Sequence, residues 1–354
     1  MTVNARPYST DTLREHVARL PRTPLAHLPT PLEFVPRFTK SVGGPQIHIK
    51  RDDCTGLAFG GNKARHNEFL LAEALRCGAD IFVWGAGVQS NNCRQTAACC
   101  AKAGLDCHLV LSRGKPGPVE VQGNLLLDHI LGASYEIVDE KIGDALYQRI
   151  AERAEQFRKA GRKVFFWENE VVKPLAAVSY ILCLVEILEQ SSREGWTPSA
   201  IYVSSAGSTG SGLAIAGKAL GVKFPIRSIC PIQWEWDTLE DMTQVANQTA
   251  ELIGIDTRVT PEDLSISFDY IAPGYGKASP AGLEAISLLA RTEGILLEPT
   301  YCGKAAAGMI DHVRKGEFGK DDHVVLIHTG GTPALFAYHE ELVRGIPPRR
   351  LLPE

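Results

Sequence analysis

Lys63 stands in "GLAFGGNKARHNEF" (56–69), directly behind two glycines and an asparagine. A primary amine is a nucleophile toward carbonyl carbon, and bare glycine backbone lets a ligand or another chain segment come close to it. Neither common nucleotide motif accounts for the stretch. A P-loop requires G-x-x-x-x-G-K-[ST], but Gly56 and Gly61 are followed by Asn62, Lys63 and Ala64, with no hydroxyl after the lysine. The dinucleotide fingerprint G-x-G-x-x-G also fails, because "GAGVQS" (85–90) keeps only its first two glycines.

A second glycine-rich segment is "AGSTGSG" (206–212), inside "IYVSSAGSTGSGLAIAGKAL" (201–220), where a strand pattern gives way to a helix pattern. Open backbone N–H groups at Ala206, Gly207, Ser208 and Thr209, with two hydroxyls, would cradle a phosphate. An ordinary tight strand-to-helix turn is the plainer alternative. In "GAGVQSNNCRQTAACCAKAG" (85–104), Ser90 or Asn91 falls at an N-cap position and serves either as a cap or as part of a carboxylate site. A reactive lysine, a phosphate cradle without nucleotide motifs and a carboxylate site together fit pyridoxal 5'-phosphate, one aldehyde and one phosphate. Lys63 would form the Schiff base, and the glycines before it would let the flat ring lie close to the backbone.

Buried-strand patterns at 46–52, 80–86, 107–112, 163–168, 200–205, 226–230 and 323–328 must hold these loops in place. Helix patterns lie near 65–77, 91–104, 119–132, 142–160, 173–191, 211–220, 238–254, 279–293, 304–315 and 333–344. The alternation predicts an α/β fold with parallel sheets covered on both faces. No linker composition marks a domain boundary. A net charge of −4 gives no electrostatic case for nucleic acid. The polar start "MTVNARPYSTDTLREH" predicts no leader, and the apolar run 174–190 reads as a core helix rather than a membrane span. Nine cysteines without metal spacing read as free thiols in a reducing cytoplasm, with no metal site.

The segments 49–65, 85–98, "SSAGSTGSGLA" (204–214), "APGYG" (272–276), "EPTYCGKAAAGMI" (298–310) and "IHTGGTPALFAY" (327–338) resemble the motifs of the 1-aminocyclopropane-1-carboxylate deaminase/D-cysteine desulfhydrase family. The resemblance implies the two-domain tryptophan synthase β-subunit-like fold (fold type II of the pyridoxal-phosphate enzymes). Residues 1–65 and 166–354 would form the large domain, and 66–165 a small inserted one. It also implies a homodimer and an amino-acid substrate. By position, Lys63 corresponds to the Schiff-base lysine, Asn62 to a partner of the cofactor's phenolic oxygen, and Ala206, Gly207, Ser208 and Thr209 to the phosphate loop. Ser90, Asn91 and Asn92 correspond to the carboxylate-binding segment, with Ser90 also a candidate proton donor. Tyr275 and Tyr301 correspond to active-site tyrosines, and Thr329 with Cys302 to the region of the pyridine nitrogen.

Departures from the family pattern are informative. After the lysine stand Ala64, Arg65, His66, Asn67 and Glu68 where a Thr-Arg-Lys-Leu-Glu pattern is usual. Asn92 replaces a common His or Gln. Cys302 occupies the position at which the deaminases carry a glutamate facing the pyridine nitrogen, and Thr329 replaces an apolar residue. A neutral partner there favours loss of the Cα proton with immediate departure of a β substituent, giving pyruvate and ammonia with sulfide or sulfite. The expected activity is therefore α,β-elimination on a D-cysteine or L-cysteate type of substrate. Ring-opening deamination to 2-oxobutanoate and β-replacement are the competing activities, and a vitamin B6 carrier is the non-enzymatic one. Trp234 and Trp236, just after a strand, serve either substrate selection or packing.

Overall fold

A computed structural model describes residues 7–114 and 117–348; the first part of the polar start, residues 1–6, lies outside them. Among the described residues ten strands form two sheets. In chain order they are β1 (Leu32–Phe34), β2 (Gln46–Arg51), β3 (Ile81–Gly87), β4 (Asp106–Ser112), β5 (Ser134–Val138), β6 (Val164–Phe166), β7 (Ala200–Ser204), β8 (Ile226–Ile229), β9 (Ser265–Ser267) and β10 (His323–His328). The larger sheet has the order β1-β2-β10-β7-β8-β9 and is parallel except for β1. The smaller sheet, β5-β4-β3-β6, is wholly parallel and is built from residues 81–166.

The central strands carry continuous apolar runs because helices cover both their faces: Val324–Ile327 of β10 and Ala200–Val203 of β7 are fully buried. Three strands absent from the sequence expectation, β1, β5 and β9, all lie at sheet edges and are short and only partly buried. They have one neighbour each and no apolar run to betray them. The helix pattern at 333–344 is in fact two helices, Ala334–Ala337 and His339–Gly345. They break at Tyr338, whose hydroxyl donates to Gly276 O at 2.9 Å and meets Thr300 Oγ1 at 3.1 Å.

The 25-residue helix Asn169–Arg193 has a mean hydropathy of 2.0 over its most apolar window, and 89% of that window is buried inside the protein. It packs on the helices Ser208–Leu220 and Asn62–Arg76. Contact with the former is so close that a Cβ on Gly212 would lie 2.1 Å from Ala177 O. Contact with the latter is made through a buried charge cluster. Arg65 donates to Asp52 at 3.0 and 2.8 Å and to both Glu186 oxygens at 2.8 Å, while Lys50 Nζ lies 2.8 Å from Glu186. Thr30 and Tyr180 hydroxyls donate to Asp52 at 2.8 and 2.6 Å. Two cations face two anions with their hydrogen bonds met, which is the condition for tolerating buried charge. Arg65 is two residues from Lys63, so the cluster anchors the first turn of the lysine's helix.

Candidate functional site

The C-terminal ends of parallel strands gather the loops singled out by sequence, as expected for an open α/β sheet. β7 runs into 205–207 and the helix Ser208–Leu220, β3 into Ser90 and the helix Asn91–Ala103, and β10 into Thr329. They meet around a cavity of about 180 Å³. Lys63 and Asn62 line it at the start of the helix Asn62–Arg76, opposite Ala206, Gly207, Ser208 and Thr209. Ser90, Asn91 and Asn92 line another side, with Tyr275, Tyr301 and Thr329 completing the wall. Cys302 does not reach it. Its thiol is fully buried behind Thr329, 3.2 Å from that hydroxyl and 3.4 Å from Gly330 O. Its position at the start of the helix Cys302–Arg314 turns the side chain into the core, so it meets the cavity wall only through Thr329.

Backbone packing by itself requires the glycines before Lys63. Gly60 and Gly61 have φ of +65° and +125°, where a side chain is strained. A Cβ on Gly60 would lie 2.0 Å from Asp53 O; one on Gly61 would lie 2.7 Å from Gln95 Nε2 and 3.1 Å from Thr329 O. Gly330 on the facing loop is equally confined, because its Cβ would lie 2.6 Å from Gly61 Cα. Two loops thus touch backbone to backbone, and Asn62 N donates to Thr329 O at 3.0 Å. Gly60 O accepts from Arg94 Nη2 at 2.8 Å and also from Gln95 Nε2.

Burial lowers the Lys63 ammonium to a pKa of about 8, and the positive end of its own helix acts in the same direction. Nζ lies 3.5 Å from His66 Nδ1, and His66 Nε2 lies 3.2 Å from Thr209 Oγ1. Burial first, then the charges of Lys63 and Arg65, keep His66 neutral by pushing its pKa well down. With Nδ1 accepting from Lys63, Nε2 carries the ring proton and donates to Thr209. Thr209 Oγ1 also accepts from Asn62 Nδ2 at 3.1 Å. Both its lone pairs are then engaged, so its own hydrogen is free to point into the cavity. His66 was not foreseen as a site residue, although its departure from the usual pattern was the signal.

The helix Ser208–Leu220 has no side-chain cap. Ser208 and Thr209 at its start line the cavity with N–H groups that have no intrahelical partner, and a Cβ on Gly207 would meet nothing within 4 Å. Ser205 Oγ accepts from Gly207 N and Gly210 N at 3.3 and 2.8 Å, which fixes the loop's curl. Ser204 Oγ, also on the cavity wall, is buried without a partner among the described residues. An uncapped helix start beside an orphaned hydroxyl is a fit for a phosphate, and the amine across the cavity is a fit for an aldehyde. Ser90, by contrast, is the cap of its helix, accepting from Asn92 N and Cys93 N at 3.1 Å each. Its hydroxyl hydrogen remains free to donate. Asn91 is oriented by Asn124, whose Nδ2 donates to Asn91 Oδ1 at 2.9 Å.

The two tyrosine hydroxyls are 2.5 Å apart. Burial raises Tyr275 to about 12 and Tyr301 well above the usual phenol range, so both stay protonated near neutrality. Lys304 holds the Tyr275 loop by donating to Ile271 O and Gly274 O at 2.6 and 2.7 Å. Glu298 holds Tyr301 by accepting from the backbone N–H groups of Thr300, Tyr301 and Cys302 at 2.7, 2.8 and 2.8 Å. Trp234 lines the cavity and donates from Nε1 to Ala206 O at 2.9 Å, whereas Trp236 stacks behind it at 4.8 Å. Tyr147, Trp167 and Lys173 also line the cavity and were not foreseen; the signal available was Trp167 at the end of a parallel strand.

Comparison with known proteins identifies relatives. The family model described as pyridoxal-phosphate dependent enzyme matches residues 24–330. The chain is 38% identical over 328 residues to a D-cysteine desulfhydrase of Salmonella choleraesuis (strain SC-B67), covering 92% of this chain and 98% of that one. It is 39% identical over 339 residues to a D-cysteine desulfhydrase of Serratia proteamaculans (strain 568), covering 93% and 99%. A crystal structure of an ACC deaminase homologue superposes with a TM-score of 0.86 at 32% identity, covering 94% of this chain and 99% of that one. An L-serine ammonia-lyase from Rhizomucor miehei, at 16% identity and a TM-score of 0.63 over 90% and 98% of the chains, shares the fold.

Proposed function

The chain belongs to the family of pyridoxal-phosphate dependent enzymes and is a pyridoxal-phosphate-dependent lyase; from that premise we propose that it eliminates the β substituent of a small amino acid of the D-cysteine or L-cysteate type, yielding pyruvate, ammonia and sulfide or sulfite. One juxtaposition carries this proposal: Lys63, with a pKa of about 8, faces the uncapped start of the helix Ser208–Leu220 across a single cavity. When bound, pyridoxal phosphate supplies an electron-withdrawing ring that acidifies the substrate's Cα–H bond. Lys63 Nζ would hold the cofactor's aldehyde carbon, Gly207, Ser208 and Thr209 its phosphate, and Asn62 and Thr329 the ring's two edges. Ser90, Asn91 and Asn92 receive the substrate carboxylate.

Lys63 then takes the Cα proton, a task suited to an amine whose pKa lies near working pH. The Tyr275–Tyr301 pair passes a proton to the departing group, since both phenols remain protonated and share one short hydrogen bond. Thr329, with the neutral Cys302 thiol behind it, offers no formal charge on its wall, which supports prompt elimination over a long-lived carbanion.

A panel of D-cysteine, L-cysteate and 1-aminocyclopropane-1-carboxylate tests the activity. Pyruvate with sulfide or sulfite is expected; 2-oxobutanoate as the sole keto acid contradicts it. The amine's pKa has its own test in cofactor-free protein. Only neutral Lys63 captures an aldehyde, so the rate of cofactor uptake should climb with pH to about 8 and then level off. A rate still climbing toward the ordinary lysine value of 10.5 would show that burial does not lower this amine.

A further inference from the structure

One side of the cavity, its aromatic arm, is lined by apolar side chains. Tyr147, Trp167 and Trp234 wall it with aromatic faces, and Ile142 and Ile232 add aliphatic surface. The three aromatic residues are each only half-buried, and all turn surface toward the cavity. Tyr147 stacks on Trp167 at 5.7 Å and 17°, Trp234 stacks on Trp236 at 4.8 Å and 10°, and Tyr147 meets Trp236 at 6.2 Å. The walls are therefore braced against each other. Trp234 also ties the arm to the phosphate-cradle loop at Ala206.

One charged group lines this arm, Lys173. Its Nζ lies 2.7 Å from Asp241 Oδ1 and 5.1 Å from the centre of the Trp236 ring. A carboxylate neutralises the cation and an aromatic face covers it, so the arm offers an anionic group such as a sulfonate little unspent attraction. Apolar surface is what it offers.

We propose that this arm receives an apolar alkyl or aryl group carried on the sulfur of the substrate, so that S-substituted cysteines are the preferred class over free cysteine. The inference rests on the lyase reading above. The reaction breaks the Cβ–S bond: R–S–CH2–CH(NH3+)–COO− and one water give R–SH, pyruvate and NH4+. Water supplies the keto oxygen, and the thiolate leaves with the bond's electron pair and takes up a proton.

The test uses the cofactor-loaded enzyme with cysteine, cysteate and S-phenylcysteine, in D and L forms, read as pyruvate release. The expected kcat/KM for S-phenylcysteine exceeds that for cysteine of the same configuration by about tenfold or more, the scale on which apolar pockets discriminate. Trp167→Ala and, separately, Tyr147→Leu should bring that ratio down toward one. A second readout needs no turnover: 3-(phenylthio)propanoate, which lacks the amine, should quench tryptophan fluorescence and bind about tenfold more weakly to each variant. Free cysteine or cysteate outperforming S-phenylcysteine in the wild type, or variants that leave the ratio unchanged, would overturn the proposal while leaving the lyase reading intact. Release of no pyruvate from any of the substrates would instead overturn the lyase reading.

Discussion

Lys63→Ala is expected to abolish borohydride-stable attachment of pyridoxal phosphate and to lower turnover by at least about 10⁴-fold, since one change removes both the anchoring amine and the base. The loss should not come from unfolding. Lys63 makes one weak contact, 3.5 Å to His66, and lines the cavity rather than the core. Circular dichroism and the denaturation midpoint should therefore stay close to wild type. The phosphate cradle is untouched by the substitution, so the variant should still take up pyridoxal phosphate reversibly, as a dialysable species.

Asp52→Ala should act on stability instead, costing about 3–5 kcal/mol. Asp52 is fully buried and accepts from Arg65, Thr30 and Tyr180. Without it, Lys50 and Arg65 would share only Glu186, leaving an uncompensated positive charge in the core. A lower urea midpoint at unchanged slope is the expected result. Burial by itself would raise the Asp52 pKa, but Arg65, Lys50 and the Tyr180 hydroxyl hold it below its ordinary value of 3.8. Its contribution is thus complete above that value and is lost as pH falls through the lower, folded-state one. Asp52→Ala should accordingly show a shallower acid-induced loss of stability than wild type. Because Arg65 shares the first turns of the helix with Lys63, the variant should also bind cofactor more weakly.

Sequence made the reactive end of the site legible because its parts are local. A lysine after two glycines and an asparagine, and a small-residue run where β7 becomes a helix, are patterns within a dozen residues. The packing of Gly60 and Gly61 is less legible. Asp53 confines Gly60 from nearby in the chain, but Gly61 is confined by Gln95 and Thr329 and faces Gly330, and no local pattern announces such a contact between loops. The same holds for the aromatic arm. Tyr147 and Trp167 come from the part of the chain that builds the smaller sheet, while Trp234 follows β8 of the larger one. Tyr147 and Trp167 read as packing residues until the sheets are placed, and Trp234 stays open between substrate selection and packing. Cys302 shows the converse, since its position in the motif pointed to the cavity while the first turn of its helix directs it inward. The edge strands β1, β5 and β9 were missed for want of an apolar run, and the buried charge cluster was hidden because Lys50, Asp52, Arg65 and Glu186 look like surface residues in a linear sequence.

An imine-forming amine at position 63 is put to the test by peptide mapping. Cofactor-loaded protein is reduced with borohydride, digested and analysed by mass spectrometry. The pyridoxyl mass is expected on the peptide carrying Lys63 and on no other. Lys173 is the second lysine lining the cavity, held by Asp241; finding the label there, or finding none on Lys63, would contradict the account.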